Sequence, residues 1–137
     1  MVERQLSLLK GKLQRGVSVK LQASEFKLHC AVADTLRVAA NKDWYWTTID
    51  HGEERPIMAA ERLKRKGVKP GLPDILLIGP DGRAYWIELK VKGGRVSDEQ
   101  VAFGREMDAR NVPWAVTVGY EAAIEVLRRI GAVRVTL

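Results

Sequence analysis

Apolar residues recur at three- and four-residue spacing between Ser24 and Ala40, where Leu28, Val32, Leu36 and Ala39 form one stripe. That spacing predicts an amphipathic helix with Ser24 as its N-cap. Glu25 extends the stripe toward the N-terminus, where an apolar residue would be expected. It reads either as a first-turn acid favoured by the helix dipole or as a carboxylate aimed into a site between helix and sheet. His29, one turn later, is expected beside such a site or half-buried in the core, and not as a metal ligand. Trp44 to Ile49 is rich in aromatic and β-branched residues and predicts a strand, followed by the polar loop Asp50-His51-Gly52-Glu53. A second helix is expected from Pro56 through Lys66, stopped by Gly67.

The pattern then shortens to a period of two. Ile75 to Ile78 and Ala84 to Lys90, joined by Gly79-Pro80-Asp81-Gly82, predict a β-hairpin. Alternation puts Trp86, Glu88 and Lys90 on one face of the second strand and Ile87 and Leu89 on the other. Ser97-Asp98-Glu99-Gln100 has the form of a capping box and should open a helix reaching Arg110. Pro113 to Val118 predicts a short buried strand. Tyr120 to Ile130 predicts a last helix with Ile124, Leu127 and Ile130 inward, and Val133 to Leu137 an edge strand. The fold class is therefore α/β (α+β), a mixed β-sheet flanked by helices. Residues 1–20, with Leu6, Leu8, Leu9 and Leu13 interrupted by Gly11 and Gly16, read as an N-terminal extension that packs on the domain or on a second subunit. Residues 21–137 form the domain.

Length and composition change this picture little. A chain of 137 residues, 46% hydrophobic and 29% charged, is that of one ordinary globular domain. No apolar run approaches the roughly 20 residues of a membrane span, and no secretory signal is evident at the N-terminus. The single cysteine, Cys30, cannot form an internal disulfide and is expected as a free buried thiol, which fits an intracellular, reducing setting. Charge says more. The formal net charge of +6 favours a polyanionic partner. Arg62, Lys64, Arg65, Lys66 and Lys69 crowd just ahead of the hairpin, and Arg95 follows it. These six are candidate phosphate contacts.

The hairpin carries the chemistry. Asp74 and Glu88 offer two carboxylates, and the main-chain carbonyl of Leu89 a third oxygen, to a hard divalent cation such as Mg²⁺ or Mn²⁺. Glu25 is a candidate further ligand. Lys90 shares the face of Glu88 and can orient a nucleophilic water or stabilise the transition state. Gln100, like Glu25, opens a helix that could cover the site. A lysine beside the acids and a basic surround favour a phosphodiester over a glycoside. No Cys/His set suggests zinc, and there is no phosphate-cradling Gly-rich loop.

Gly71-x-Pro73-Asp74, then Glu88-x-Lys90, then Gln100 resembles the PD-(D/E)xK nuclease superfamily. More narrowly, Lys69-Pro70-Gly71-Leu72-Pro73-Asp74, the strand Tyr85-Trp86-Ile87-Glu88-Leu89-Lys90, Gly94-Arg95-Val96-Ser97 and Gly52-Glu53 with Arg55 are similar to the stand-alone VRR-NUC (virus-type replication and repair nuclease) domain of phages and prophages. The chain departs from that subgroup at His51, where an Asn more often precedes the glycine. His51 there is a substrate contact, a loop residue without a role, or a group behind the ligands. The resemblance implies a restriction-endonuclease-like αβββαβ core. It implies metal binding by Asp74 and Glu88, with Glu25 matching the carboxylate of the first helix. It assigns catalysis to Lys90 and positioning of substrate or water to Gln100. It further implies a homodimer that cuts branched DNA such as four-way junctions, in the cytoplasm (the host cell's, if phage-encoded). A non-catalytic DNA-binding module of the same fold, or a nuclease for flaps, ends or single strands, are the alternatives.

Overall fold

The structure is a computed structural model that describes residues 19–51 and 57–134. Of the expected extension at residues 1–20, positions 1–18 lie outside the described residues, as does the motif around Gly52, Glu53 and Arg55, while Val19 and Lys20 belong to the first helix. In chain order the elements are α1 (Val19–Ala39), β1 (Tyr45–Thr48), α2 (Ile57–Arg65), β2 (Ile75–Ile78), β3 (Ala84–Lys90), α3 (Asp98–Ala109), β4 (Trp114–Val118) and α4 (Tyr120–Arg129). They form a mixed sheet flanked by helices, as the periodicities predict.

Helix α1 buries Leu28, Val32, Leu36 and Ala39, the expected stripe. It begins at Val19, so Ser24 lies inside the helix and is not its N-cap. Lys20, Leu21, Gln22 and Ala23 are all good helix formers, and together they outweigh the local capping preference of one serine. Cys30 is exposed, not buried as expected. Two residues on from Leu28 is a rotation of about 200° on a helix, which carries Cys30 off the stripe to the outer side with Phe26, itself 71% exposed.

The sheet has strand order β1-β2-β3-β4. Strands β1, β2 and β3 run antiparallel, with Ile75 opposite Ile87 and Leu76 opposite Trp86. Strand β4 returns parallel to β3 after the α3 crossover, setting Glu88 opposite Val116 and Lys90 opposite Val118. This register sorts the side chains into two cores. On one face Ile75, Leu77, Ile87 and Leu89 pack under α1 and α4, which contributes Ala123, Ile124 and Leu127. On the other, Val96, Val101, Trp114 and Val116 pack under α3, with Trp86 and Met107 at their margin. Gly104 allows that second layer to close, because a Cβ there would stand 2.0 Å from Trp114 Cζ2.

The expected capping box is present. Ser97 Oγ accepts from the Gln100 N–H at 3.1 Å, and Gln100 Oε1 accepts from the Ser97 N–H at 3.0 Å. Gly67 ends α2 in the left-handed region at φ 91°, and its N–H donates to the Lys64 carbonyl. Of the expected edge strand at residues 133–137, positions 135–137 lie outside the described residues. Val133 is buried and forms a single bridge with Ala40, while the Arg134 N–H donates to the Ala39 carbonyl. Closing the end of α1 buries Val133 more fully than an edge position would. No helix among the described residues is long and apolar enough to cross a membrane.

Candidate functional site

The two hairpin strands bring Asp74, Glu88 and Lys90 together, each nearly buried at 6%, 4% and 9% exposure. Continuing the β2–β3 register one residue beyond Ile75 and Ile87 sets Asp74 across from Glu88. One residue further, Pro73 stands opposite Leu89. Proline has no N–H to give, so this position supplies no ladder donor to the Leu89 carbonyl. The Leu89 N–H, which points the same way, donates instead to Asp74 Oδ2 at 2.7 Å. The main-chain carbonyl of Asp74 accepts from the Ile49 N–H at 2.8 Å, which ties the aspartate to the end of β1.

Gly71 fixes the approach to this point. Its φ is 91°, and a Cβ on it would stand 2.4 Å from the Glu99 carbonyl oxygen and 3.0 Å from the Gln100 nitrogen. The segment before Asp74 therefore packs backbone-to-backbone on the first turn of α3. Both the dihedral and the contact require glycine. Gln100 accordingly lies at the edge of the site, with its side-chain oxygen engaged in the capping box.

Electrostatics make the centre costly in isolation. Lys90 Nζ is 3.4 Å from Glu88 Oε1. Glu88 Oε2 is buried and has no hydrogen-bond partner. Burial, and then the negative charge of Asp74, push the Glu88 carboxyl up to about 8, against the lowering influence of Lys90. Two buried carboxyl groups with one ammonium and one orphaned oxygen form an unfinished charge arrangement. A divalent cation would complete it, supplying positive charge in place of the proton Glu88 otherwise keeps and taking an oxygen that has no hydrogen-bond partner. The donors are hard oxygens, as Mg²⁺ or Mn²⁺ prefers.

Other candidate residues fall at varying distance from that centre. Glu25 is half-buried on α1, one turn before His29. Among the described residues no group of three or more His, Cys, Asp or Glu side chains is arranged to hold a metal ion, so neither Glu25 nor either histidine completes a preformed set with Asp74 and Glu88. Two histidines flank the aspartate. His29 Nε2 is 3.7 Å from Asp74 Oδ2, and His51 Nε2 is 3.5 Å from Asp74 Oδ1. Sequence reasoning set His29 beside a site of this kind and left the role of His51 open. The convergence of both imidazoles on one carboxylate had no signal in local spacing, because it depends on how α1 and the loop after β1 pack against the hairpin.

The candidate phosphate-binding cations lie on the surface. Arg62, Lys64, Arg65, Lys66, Lys69 and Arg95 are all exposed. Salt bridges among the described residues involve other cations, such as Arg37 with Asp34 and Arg110 with Glu106. Lys69 is two residues from Gly71, which packs on α3, and Arg95 is five residues beyond Lys90. Both therefore leave the buried centre by short paths.

Comparison with known proteins bears on the family and the fold. The family model described as the VRR-NUC domain matches residues 32–120. The fold is similar to that of a solved structure titled "VRR_NUC domain protein", with a TM-score of 0.58 and 20% sequence identity, covering 76% of this chain and 84% of that one. No curated protein matches the sequence.

Proposed function

The chain belongs to the VRR-NUC domain family, a family of nuclease domains, and from that premise we propose that it is a divalent-metal-dependent DNA endonuclease centred on Asp74, Glu88 and Lys90. The observation that carries this reading is the buried carboxyl pair with its unpartnered Glu88 Oε2. We read Pro73-Asp74 and Glu88-x-Lys90 as the PD-(D/E)xK signature. Asp74, Glu88 and the Leu89 main-chain carbonyl would hold Mg²⁺ or Mn²⁺, with Glu25 a further candidate. When bound, the ion would activate a water for attack and offset charge developing on the scissile phosphate.

The protein's own groups do the rest. Lys90 is held beside Glu88 with little access to solvent, where an ammonium interacts strongly with an anionic phosphate or an attacking water. The Leu89 N–H keeps Asp74 fixed, so the carboxylate needs little reorganisation when substrate arrives. Gln100 engages the capping box through its oxygen, and its amide nitrogen can be directed toward water or DNA. Arg62, Lys64, Arg65, Lys66, Lys69 and Arg95 would grip phosphates, which gives affinity without sequence preference.

Branched DNA, including four-way junctions, is the proposed substrate, cut by a symmetric homodimer that sets two centres on one branch point. A phage or prophage setting would place the reaction in the host cytoplasm. The test is a panel of end-labelled four-way junction, flap, single-stranded and linear duplex DNA incubated with Mg²⁺ or Mn²⁺. Cleavage of the junction ahead of the others supports the assignment. Preference for flaps, ends or single strands would replace the junction with that substrate, and binding without any cleavage would make the chain a DNA-binding module.

A further inference from the structure

We propose that His29 is a nitrogen ligand of the metal centre, and that it biases the centre toward first-row transition ions over Mg²⁺. The inference rests on the metal-dependent reading of Asp74 and Glu88 above. His29 belongs to α1, whose position is set by the burial of Leu28, Val32 and Leu36 against the sheet. From that fixed helix its Nε2 approaches to 3.7 Å from Asp74 Oδ2. This is beyond hydrogen-bond length, yet adjacent ligands on an octahedral ion with bonds of about 2.1 Å stand about 3.0 Å apart. A small side-chain rotation therefore brings the imidazole and the carboxylate to a shared ion.

The neighbouring acids are oxygen donors, and an all-oxygen site suits Mg²⁺. One imidazole nitrogen changes that preference, because nitrogen ligation favours Mn²⁺, Co²⁺ and later ions over Mg²⁺. His51 also faces Asp74, at 3.5 Å from Oδ1, but it lies on a loop and is the more exposed of the two. The rigid helix makes His29 the better-positioned donor.

The experiment uses the full chain loaded with Mn²⁺ and measures pulsed electron paramagnetic resonance for ¹⁴N coupling to the ion. Mn²⁺ and Mg²⁺ affinities are read by calorimetry on the same samples. Wild type is compared with His29→Ala, His51→Ala and Asp74→Ala. The expected result is a nitrogen coupling in wild type and His51→Ala that is absent in His29→Ala, together with a tenfold or greater loss of Mn²⁺ affinity in His29→Ala and a smaller change for Mg²⁺. A wild-type protein that binds Mn²⁺ through Asp74 but shows no nitrogen coupling overturns the role of His29 and leaves the metal reading standing. So does a coupling that disappears in His51→Ala instead. Absence of Mn²⁺ binding above that of Asp74→Ala overturns both. Absence of coupling in wild type overturns the role of His29 without any variant, and a coupling that is present is assigned by His51→Ala alone, since the chain has two histidines, even if His29→Ala fails to fold.

Discussion

The main-chain N–H of Leu89 is hydrogen-bonded to the side chain of Asp74, at 2.7 Å from Oδ2. A carboxylate thus takes the place of a ladder carbonyl where β2 gives out. The same contact that finishes the sheet also aims an acid at Glu88. Structure and chemistry can be separated here by choice of substitution. Asp74→Asn keeps a side-chain oxygen for the Leu89 N–H, whereas Asp74→Ala leaves that buried donor unsatisfied. Both remove the negative charge. Asp74→Ala is expected to be less stable than Asp74→Asn by about 1–3 kcal/mol, and both are expected to lose Mn²⁺ affinity. Chemical denaturation and calorimetry check the two halves separately.

The raised Glu88 carboxyl gives a pH dependence of definite sign. Its ordinary value is 4.5 and burial beside Asp74 takes it to about 8, so between these values the folded state holds a proton that the unfolded chain has lost. This contribution to metal-free stability is complete below the unfolded value and is lost as pH rises through the folded one. Glu88→Gln cannot ionise and is expected to lack that decline. Thermal melts of both proteins in chelator across the interval measure it. A wild-type stability that rises relative to Glu88→Gln over the same interval would contradict the burial argument. Metal affinity should move the other way, increasing with pH, because ligation requires the ionised carboxylate.

Gly71→Ala combines a left-handed backbone with a Cβ 2.4 Å from the Glu99 carbonyl oxygen. Neither partner is the flexible end of a side chain, so the loop or the first turn of α3 must shift. A loss of about 2–3 kcal/mol is expected, with lower activity because Asp74 is three residues away. Gly104→Ala meets the Trp114 ring at 2.0 Å and is expected to cost about 1–3 kcal/mol by overpacking alone. Denaturant titration gives both stabilities.

Much of this arrangement was legible from spacing. Leu28, Val32 and Leu36 marked the buried side of α1, and the Ser97–Gln100 capping box marked the start of α3. The hairpin followed from Gly79-Pro80-Asp81-Gly82 and the alternation on either side of it. The errors arose where a local preference met a longer-range one. Ser24 could have capped a helix, but the good helix formers before it carried α1 back to Val19. Cys30 has an apolar composition around it, yet its angular position puts it outside. At the site, Asp74, Glu88 and Lys90 could be paired from the sequence because a tight turn leaves few registers. His29 and His51 could not be joined to Asp74 that way. Their approach is decided by the packing of α1 and of the loop after β1, across 45 and 23 residues of sequence respectively.

The exposed cations predict a salt-dependent interaction with DNA. Neutralising Lys64, Lys66 or Lys69 singly should weaken binding similarly across DNA sequences. Each phosphate left without its cation should lower the slope of log affinity against log salt by about 0.9. Fluorescence anisotropy over a salt series measures this. Unchanged slopes for all three would remove α2 and the loop after it from the DNA interface.

The central claim is that Lys90, held 3.4 Å from Glu88 in a buried metal-dependent centre, takes part in phosphodiester hydrolysis. The most direct test is single-turnover cleavage of labelled four-way-junction DNA in Mn²⁺ by wild type and Lys90→Ala, with junction binding measured in parallel. The account predicts cleavage by wild type and a loss of at least about 100-fold in Lys90→Ala, with junction affinity largely kept. Equal cleavage by the two proteins, or none by either, would contradict it.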